Sequence, residues 1–505
     1  MNSKEILLPL IAFIMVLCSG CKKYGYDFED GVDKGNEYEP ITVDTSMSMV
    51  DRSLYNRASI FPGLVGAAEP RLKDATIVMN FKYVPSSADL LRVSVTPQGI
   101  HSTGLYAPAG EMIQVIVPQG VEGLTLQIGA HMDNLEGKPT LRRDAVIYTV
   151  KELFPGVNYL RNLYGGTVWI RSKQPIEQPV NLVFTGPVKS PDFILGESTD
   201  SDWKQKVEAS TVPWLELRSK HVIFTVQRSI LMSFINSGKL ESPTAVMTEW
   251  DKVYELDFYG WMGLTVGNPD LKHRAPDLPE RGVLDVQPSV GYGHSGFPWV
   301  AQLDDYWVDE WVNLATIKGG GAWGTYHEIG HNYQQASTWS WSAISESSNN
   351  LFVFKGAKRN NSFPTDGSVY KQFPLALAFA ANTGAKGSFE SNEEPYFKIL
   401  PFLQIFNMAV NPTTAEDGWG FMPYLYTRAR NASRISYNDQ DRRDFYYEAL
   451  CDYTQTDYLP FFNAWGMAIS SLSKSKVVGK GYPKLKFEQW KYNPITKQGG
   501  TTLIP

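Results

Sequence analysis

The sequence predicts an α+β protein in which an N-terminal antiparallel β-sandwich precedes a mostly helical remainder. From about residue 74 to 227, short segments of alternating apolar and polar residues are separated by glycine and proline, which is typical of antiparallel sandwiches. After Ser229, apolar residues recur instead with helical spacing. The 505 residues, of which 43% are hydrophobic and 20% charged, suffice for more than one core and exclude a largely disordered chain.

The first segment is typical of an export signal. Residues 6–17 form an apolar run that is too short to span a bilayer but suits the hydrophobic region of a secretory signal. Ser19 and Gly20, directly before Cys21, resemble the lipobox of bacterial lipoproteins, in which the cysteine is lipidated. We therefore expect residues 1–20 to be a lipoprotein signal peptide and Cys21 to be lipidated, with an ordinary cleaved signal as the alternative.

Residues 21–45 are predicted to be an acidic tether. Seven carboxylates between residues 24 and 45 accompany one basic residue, Lys34, and self-repulsion keeps such a segment extended. The whole chain has a formal net charge of −6, which argues against non-specific binding of nucleic acid. Apart from Cys18 and Cys21, Cys451 is the only cysteine, so it is expected to be a buried structural thiol and any metal site must use histidine and carboxylate ligands.

The elements are predicted from these patterns in chain order. The strands are expected at residues 77–84, 90–95, 112–117, 124–128, 146–150, 168–170, 182–184 and 222–226. The helices are expected at residues 322–336, 340–355, 370–383, 396–408, 438–455 and 458–472.

Two histidines four residues apart occur in the sequence His327-Glu328-Ile329-Gly330-His331. On a helix this spacing places both imidazoles on one face, with Cβ atoms about 5–6 Å apart, so both can bind one zinc ion. Glu328 projects from an adjacent face, where it can accept a proton from a metal-bound water. The alternative is a surface helix that carries these residues by chance, but Gly330 inside a helix is easier to explain if another backbone or a ligand comes close.

A catalytic zinc needs a third protein ligand and an open fourth position. No histidine follows His331, and Glu346 is the only carboxylate between residues 332 and 365. We therefore predict one Zn²⁺ per chain, bound by His327, His331 and Glu346, with Glu328 as the catalytic base. Asn349 and Asn350 fall on the face of Glu346, where they either orient the carboxylate or serve as capping and packing residues.

The sequence HEIGHNYQ at residues 327–334, followed by ESSNNLF at residues 346–352, resembles the signature of the enhancin-like zinc metallopeptidases (peptidase family sixty). These are gluzincins that include mucin-degrading enzymes of gut bacteria. Further segments resemble the same family, so the likeness covers most of residues 70 to 470; they lie at residues 102–111, 127–129, 162–166, 222–226 and 460–466. Ser347 and Ser348 depart from the bulkier residues usual there, without affecting a ligand position.

This resemblance implies a β-sandwich domain at residues 46–215, a gluzincin-type catalytic domain at residues 216–365 and a helical C-terminal subdomain at residues 366–505. It also implies a zinc endopeptidase that cleaves O-glycosylated proteins such as mucins, with Glu328 activating a zinc-bound water. With the lipoprotein signal at residues 1–20, a macromolecular substrate in turn predicts that this bacterial lipoprotein lies in the outer membrane and is exposed at the cell surface.

The glycine-rich loop at residues 292–298 is the candidate wall of the substrate cleft. Tyr292 and His294 are its candidate substrate-binding residues, and a structural hydrogen bond within a loop is the alternative for each. Two other classes of function were weighed against the peptidase. A catalytically weak mucin- or glycan-binding surface lipoprotein would have no use for a general base, and a glycosidase needs a carboxylate pair that the sequence does not show.

Overall fold

Three β-sheets and a helical C-terminal half make up the folded part of the protein. The computed structural model describes residues 47–364, 366–433 and 438–505, so the predicted signal peptide, Cys21 and the tether lie outside the described residues. The strands are β1 Ala75–Met79, β2 Ile100–Ala107, β3 Met112–Val117, β4 Leu124–Ile128, β5 Thr149–Glu152, β6 Gly156–Arg161, β7 Gly166–Ser172, β8 Val180–Thr185, β9 Val188–Lys189, β10 Phe193–Ile194, β11 Trp214–Arg218, β12 Val222–Gln227, β13 Glu280–Asp285, β14 Gly293–His294 and β15 Trp299–Gln302.

The first two sheets form the predicted antiparallel sandwich. One has the strand order β1-β8-β3-β6 and the other the order β5-β4-β7-β2-β9, with every neighbouring pair antiparallel. Residues from both sheets, including Val115, Leu126, Ile170 and Phe184, meet in one buried core. The alternation of apolar and polar residues along these strands is what allows one face of each sheet to be buried.

The third sheet is mixed, and its strands lie after the sandwich in the chain. Its strand order is β10-β11-β12-β13-β15-β14, in which β12, β13 and β15 are parallel and β14 is an antiparallel edge strand. β13 was not predicted, because its sequence Glu280-Arg281-Gly282-Val283-Leu284-Asp285 is buried throughout although four of its six residues are charged or glycine. The predicted boundary between residues 215 and 216 falls inside β11, and the division into domains stays a prediction.

Helices dominate the chain after β12, as predicted, so the α+β fold class is confirmed. The α-helices are α1 Tyr55–Ala58, α2 Ala88–Leu91, α3 Asp200–Ala209, α4 Arg228–Asn236, α5 Pro243–Lys252, α6 Asp305–Val312, α7 Leu314–Lys318, α8 Trp323–Tyr333, α9 Ser345–Ser348, α10 Leu351–Arg359, α11 Gly367–Ala381, α12 Pro395–Met408, α13 Phe421–Asn431, α14 Asp439–Thr454, α15 Leu459–Ala464 and α16 Ser471–Gly479. A π-helix occupies Val253–Tyr259, and single 3₁₀ turns occupy Gly260–Met262, Ser342–Ile344, Phe389–Ser391, Gly418–Gly420 and Gln489–Lys491. In the described ranges, no helix is long and apolar enough to cross a membrane.

Three predicted elements differ from the structure. The helix expected at residues 458–472 ends at Ala464, and α16 begins only at Ser471. The strand expected at residues 90–95 is wrong, because the Ser87 side chain caps a short helix there by accepting a hydrogen bond from the Leu90 N–H. The single helix expected at residues 340–355 is divided into a 3₁₀ turn, α9 and α10. Cys451 lies in α14 and is buried, and burial raises its thiol pKa to about 12, which agrees with the predicted structural role.

Buried ion pairs join the sandwich to the mixed sheet. The Arg143 guanidinium forms a bidentate pair with Asp285 at the end of β13, with Nε–Oδ1 and Nη2–Oδ2 distances of 2.8 and 2.7 Å. Arg281 of β13 lies over the ring of Trp169 in β7, 4.6 Å from its centre, and pairs with Glu216 of β11. These contacts fix the sandwich against the sheet that carries the cleft wall.

Candidate metal centre and active site

Helix α8 carries the two histidines, and its N-terminus is capped by a distant residue. Ala322, at the N-cap position, has no side chain that can accept a hydrogen bond. The carboxylate of Glu310 in α6 instead accepts from the backbone N–H groups of Gly324 and Thr325, at 3.0 and 2.7 Å. A negative charge at this end of a helix is favourable because the N–H groups and the helix dipole point toward it. Glu310 was missed by the sequence analysis, since it lies in a different helix.

The structure brings His327, His331 and Glu346 together. The Nε2 atoms of His327 and His331, one helical turn apart in α8, are 3.1 Å from each other. Oε2 of Glu346 in α9 lies 3.4 Å from Nε2 of His327 and 3.3 Å from Nε2 of His331. One possible ligand atom from each residue lies within 4.8 Å of the other two. The three predicted ligands therefore converge on one point.

Neighbouring amides orient both imidazoles. Nδ1 of His327 donates to Oδ1 of Asn350 at 3.0 Å, and the Asn350 amide nitrogen donates to the Glu346 carbonyl at 2.8 Å. Nδ1 of His331 donates to Oε1 of Gln334 at 2.8 Å. Because each Nδ1 carries the proton in these hydrogen bonds, each Nε2 presents a lone pair. The sequence left two roles open for Asn350, orienting a ligand or capping and packing. The structure supports an orienting role, in which Asn350 holds the His327 ring and the backbone of Glu346.

This donor set fits a divalent cation. Two imidazole lone pairs and one carboxylate oxygen face each other at 3.1–3.4 Å, with the Asn349 amide nitrogen 3.0 Å from Nε2 of His331 as a neighbouring donor, and a positive charge among these acceptors is favourable. Two histidines and a glutamate are a ligand combination that zinc uses in catalytic sites, where a fourth position remains open. The Glu346 side chain is 54% exposed, so the point where the three ligand atoms converge is open to solvent.

Gly330 allows the two ligand-bearing segments to approach closely. A Cβ atom built on Gly330 would lie 2.3 Å from the backbone oxygen of Asn349 and 2.9 Å from its carbonyl carbon. The obstacle is backbone rather than a flexible side chain, so only glycine fits at this position of α8. From the sequence, a close backbone or a close ligand could explain the glycine inside the motif. The structure shows that it is the backbone of Asn349.

Gly330→Ala is expected to destabilise the protein and weaken zinc binding. Overpacking of this kind costs about 1–3 kcal/mol, because the Asn349 backbone must retreat and move the segment after Glu346 with it. Urea unfolding and competition with a chromogenic chelator would measure the two effects. Gly479→Ala in α16, where a Cβ meets nothing within 4 Å, is the matched control and should change neither. Unchanged zinc affinity in Gly330→Ala would contradict this interpretation of the close approach.

Asn350→Ala is expected to lower zinc affinity by about 10–100-fold, because removing a hydrogen-bond partner of a metal ligand frees its ring orientation. The variant loses the acceptor for the Nδ1 proton of His327 and the donor to the Glu346 carbonyl. Isothermal titration of the metal-free protein with Zn²⁺ would measure the change. Asn361→Ala, a position beyond the C-terminus of α10, serves as the control and should bind zinc like the unaltered protein.

Glu328 lies beside the metal-ligand group and is largely buried, with 8% of its surface exposed. Burial raises its carboxyl pKa above the ordinary value, although the nearby charges of His327 and His331 oppose the shift. The Glu346 carboxyl behaves in the opposite way in the metal-free site, because hydrogen bonds from His327 and then His331, donated when these imidazoles are protonated, hold its pKa far below the ordinary value. The pKa of Glu328 is thus raised, as suits a proton acceptor, and that of Glu346 is lowered, as suits an anionic metal ligand.

The candidate cleft wall is fixed directly to the motif helix. The buried side chain of Asn332 accepts from the Gly296 N–H and donates to the Gly296 carbonyl, both at 2.9 Å. The Asn332 carbonyl accepts from the backbone N–H groups of Ser94 and Val95 at 2.9 and 3.1 Å. Asn332 therefore connects α8, the glycine-rich loop and the N-terminal segment. This role was missed by the sequence analysis, because no local pattern marks it.

The two candidate substrate-binding residues are held by other partners. His294 uses both ring nitrogens, with Nδ1 2.9 Å from the Ser295 carbonyl and Nε2 2.7 Å from the Asp133 carboxylate. Burial opposes protonation of His294, but the hydrogen bond with Asp133 outweighs it and raises the pKa. The Tyr292 hydroxyl donates to Asp304. In the described residues neither side chain forms a hydrogen bond with the three predicted ligands, and their role in substrate binding stays a prediction.

Comparison with known proteins places this arrangement among peptidases. The profile of the family described as Peptidase M60, enhancin and enhancin-like, matches residues 186–466, and that of the N-terminal domain of M60-like peptidases matches residues 83–183. TRPM8 channel-associated factor 3 of Rattus norvegicus is 28% identical over 400 residues, which are 78% of this chain and 40% of that protein. The chain therefore spans about 40% of the length of the curated relatives it matches.

Solved structures share the fold. The ZmpB metallopeptidase from Clostridium perfringens superimposes with a TM-score of 0.65 at 18% identity, covering 84% of this chain and 83% of that one. The M60 catalytic domain of Clostridium perfringens ZmpC, in complex with the sialyl T antigen, gives a TM-score of 0.63 at 18% identity, with coverages of 84% and 83%. Because the family match itself extends over more than half of the residues, the chain belongs to the Peptidase M60, enhancin and enhancin-like family.

Proposed function

We propose that the protein is a zinc-dependent endopeptidase that cleaves O-glycosylated proteins such as mucins. The observation that carries the proposal is the convergence of two imidazole lone pairs and a carboxylate oxygen beside the buried carboxyl of Glu328. Membership of a peptidase family supports hydrolysis of peptide bonds. The complex of the ZmpC catalytic domain with the sialyl T antigen supports a substrate that carries a glycan.

His327, His331 and Glu346 would hold one zinc ion per chain. When bound, zinc supplies Lewis acidity, which lowers the pKa of a water molecule and polarises a carbonyl group. Asn350 and Gln334 hold the two imidazoles with Nε2 toward the ion, so the ligands are oriented before the metal arrives.

Glu328 performs the proton transfers in this proposal. Its carboxylate accepts a proton from the attacking water and delivers it to the nitrogen of the leaving amine. Burial raises the pKa of this carboxyl, which makes the carboxylate a stronger base than an exposed glutamate. The Asn332–Gly296 hydrogen bonds keep the cleft wall in a fixed position relative to α8, so that a bound peptide would meet Glu328 in one geometry.

Mass spectrometry of the products from a defined O-glycopeptide tests this proposal. The peptide is incubated with the protein in two forms, with its sugar and without it, before and after treatment with a zinc chelator. We expect new peptide N-termini from the glycosylated form alone, loss of cleavage after chelation and recovery on adding Zn²⁺. Release of free sugar without a new N-terminus would indicate a glycosidase instead.

A catalytically weak glycan-binding protein is the second candidate function. The names of the curated relatives describe association with a channel rather than cleavage, which is the observation in its favour. The same experiment separates the two candidates, because a binding protein would retain the glycopeptide on a column yet leave it intact when fully loaded with zinc.

We also propose that Cys21 is lipidated and that the protein is exposed on the outer membrane of a bacterium. The support is the small pair Ser19-Gly20 before Cys21 and the macromolecular size of the proposed substrate. Cys21→Ser should release the protein from the membrane fraction, and protease treatment of intact cells should digest the unaltered form. A protein that resists such treatment until the cells are lysed would contradict surface exposure.

A further inference from the structure

The C-terminal segment carries a charge opposite to that of the whole chain. Residues 459–505 contain seven lysines, one glutamate and no other charged side chain, a net charge of +6, whereas the complete chain has a net charge of −6. Such an asymmetry within one protein indicates a surface that meets a polyanion or a membrane. The catalytic proposal makes no use of this segment.

Four of these lysines, Lys497 among them, form no ion pair with any residue that the structure describes. Lys476 and Lys480 pair with Glu448 and Asp452 of α14 and so fix α16 to the fold. In the described part of the chain, no ion pair involves Lys474, Lys484 or Lys486. Lys476 and Lys480 therefore stabilise the fold, whereas Lys474, Lys484 and Lys486 are available to bind another molecule.

The outward face of α16 carries two exposed apolar side chains beside the exposed Ser471 and Ser475. Ser473 and Val477 are buried, so the opposite face of this helix points to solvent. Leu472 and Val478 lie toward that face and are 67% and 68% exposed. At 100° per residue, Lys474 lies at the flank of the Leu472–Val478 face.

The segment after α16 repeats this combination. Leu485 is buried, so Lys484 and Lys486, on either side of it, point to the opposite, solvent side. Phe487 forms an isolated bridge with Leu503, and both side chains are exposed. Two unpaired lysines and an exposed phenylalanine thus lie within four residues of the chain.

We propose that this C-terminal surface, defined by α16 and residues 484–487, binds the surface of an anionic phospholipid bilayer. Lysines attract anionic headgroups, while Leu472, Val478 and Phe487 can enter the boundary between headgroups and acyl chains. A protein partner is less suitable, because lysine is depleted and arginine enriched in protein interfaces, and this segment contains no arginine. A soluble polyanion would attract the lysines but gain nothing from the apolar side chains.

Sedimentation with vesicles tests the proposal independently of peptidase activity. All proteins carry Cys21→Ala, so that no acyl chain contributes. We expect binding to vesicles of phosphatidylglycerol and phosphatidylcholine, much weaker binding to pure phosphatidylcholine, and release by high salt. Lys474→Gln, Lys484→Gln and Lys486→Gln together should weaken binding about 100-fold, at roughly fivefold per lysine. The control triple variant Lys73→Gln, Lys138→Gln and Lys371→Gln removes three exposed lysines elsewhere and should bind normally.

A second variant separates a membrane from a soluble polyanion. Leu472→Ser with Val478→Ser keeps every charge and should weaken binding to the anionic vesicles about fivefold or more, because the apolar contribution is lost. Its binding to a sulfated polysaccharide should equal that of the unaltered protein. Equal binding to anionic and neutral vesicles, or an equal loss in the control triple variant, would overturn the proposal. So would binding to the polysaccharide alone.

Discussion

Glu328→Gln is expected to reduce kcat/KM on a glycopeptide by about 10²–10⁴-fold, the usual contribution of a general acid–base group. Glutamine preserves the size and much of the hydrogen bonding of glutamate but cannot accept a proton at neutral pH. Since Glu328 is buried and burial already disfavours its charged form, the neutral amide should not destabilise the fold. Activity should therefore fall while the urea midpoint stays the same.

The metal content of this variant decides how the loss is interpreted. Glu328 is not one of the three converging groups, so Glu328→Gln should retain one zinc per chain by elemental analysis. Glu393→Gln, at an exposed position outside the site, is the matched control and should keep full activity. A zinc-loaded Glu328→Gln protein that cleaves at the normal rate would remove Glu328 from the mechanism.

Glu346→Ala is expected to abolish cleavage by removing a metal ligand. Two imidazoles alone leave the site with one protein ligand fewer than catalytic zinc sites have, and the affinity should fall by more than the roughly 100-fold upper value for loss of an outer partner. The variant also lacks the carboxylate whose hydrogen bond raises the pKa of His331 against the effect of burial. Without Glu346, protons will compete less well with zinc for His331. This gain is smaller than the loss of the anionic ligand, so the net effect is weaker zinc binding.

Zinc titration of the metal-free proteins measures this effect without any substrate. Glu346→Ala should bind zinc weakly and regain little activity at high Zn²⁺, whereas Glu393→Ala should match the unaltered protein in both respects. Retention of tight, stoichiometric zinc by Glu346→Ala would show that another group supplies the third ligand. This result would not affect the proposed role of Glu328, which the Glu328→Gln variant tests separately.

The sandwich and the ligand set were accessible from sequence because both depend on local spacing. Alternation with period two marks strands that bury one face, and a separation of four residues places two histidines on one side of a helix. Glu346 followed from elimination, since no other carboxylate lies in the next segment. The strand expected at residues 90–95 failed for a local reason as well, because the cap at Ser87 outweighs the apolar pattern that follows it.

Other features required the tertiary structure. β13 lacks an apolar run because its charged residues are satisfied by distant partners, such as Asp285 by Arg143 and Glu280 by Tyr333. Likewise, only the structure shows that both ring nitrogens of His294 have hydrogen-bond partners, one of them Asp133 from the sandwich region, while its role in substrate binding stays a prediction. Long-range hydrogen bonds of this kind leave no periodic trace in the sequence.

The sequence by itself determined which residues can bind a metal and which can serve as a base, because those choices are fixed by side-chain chemistry and by spacing within one or two turns of helix. Only the tertiary structure decided how these groups are held. Glu310 caps α8 from another helix, the Asn349 backbone requires glycine at position 330, and Asn332 joins the helix to the cleft wall. Each of these contacts depends on how separate elements pack, and packing is a property of the whole fold.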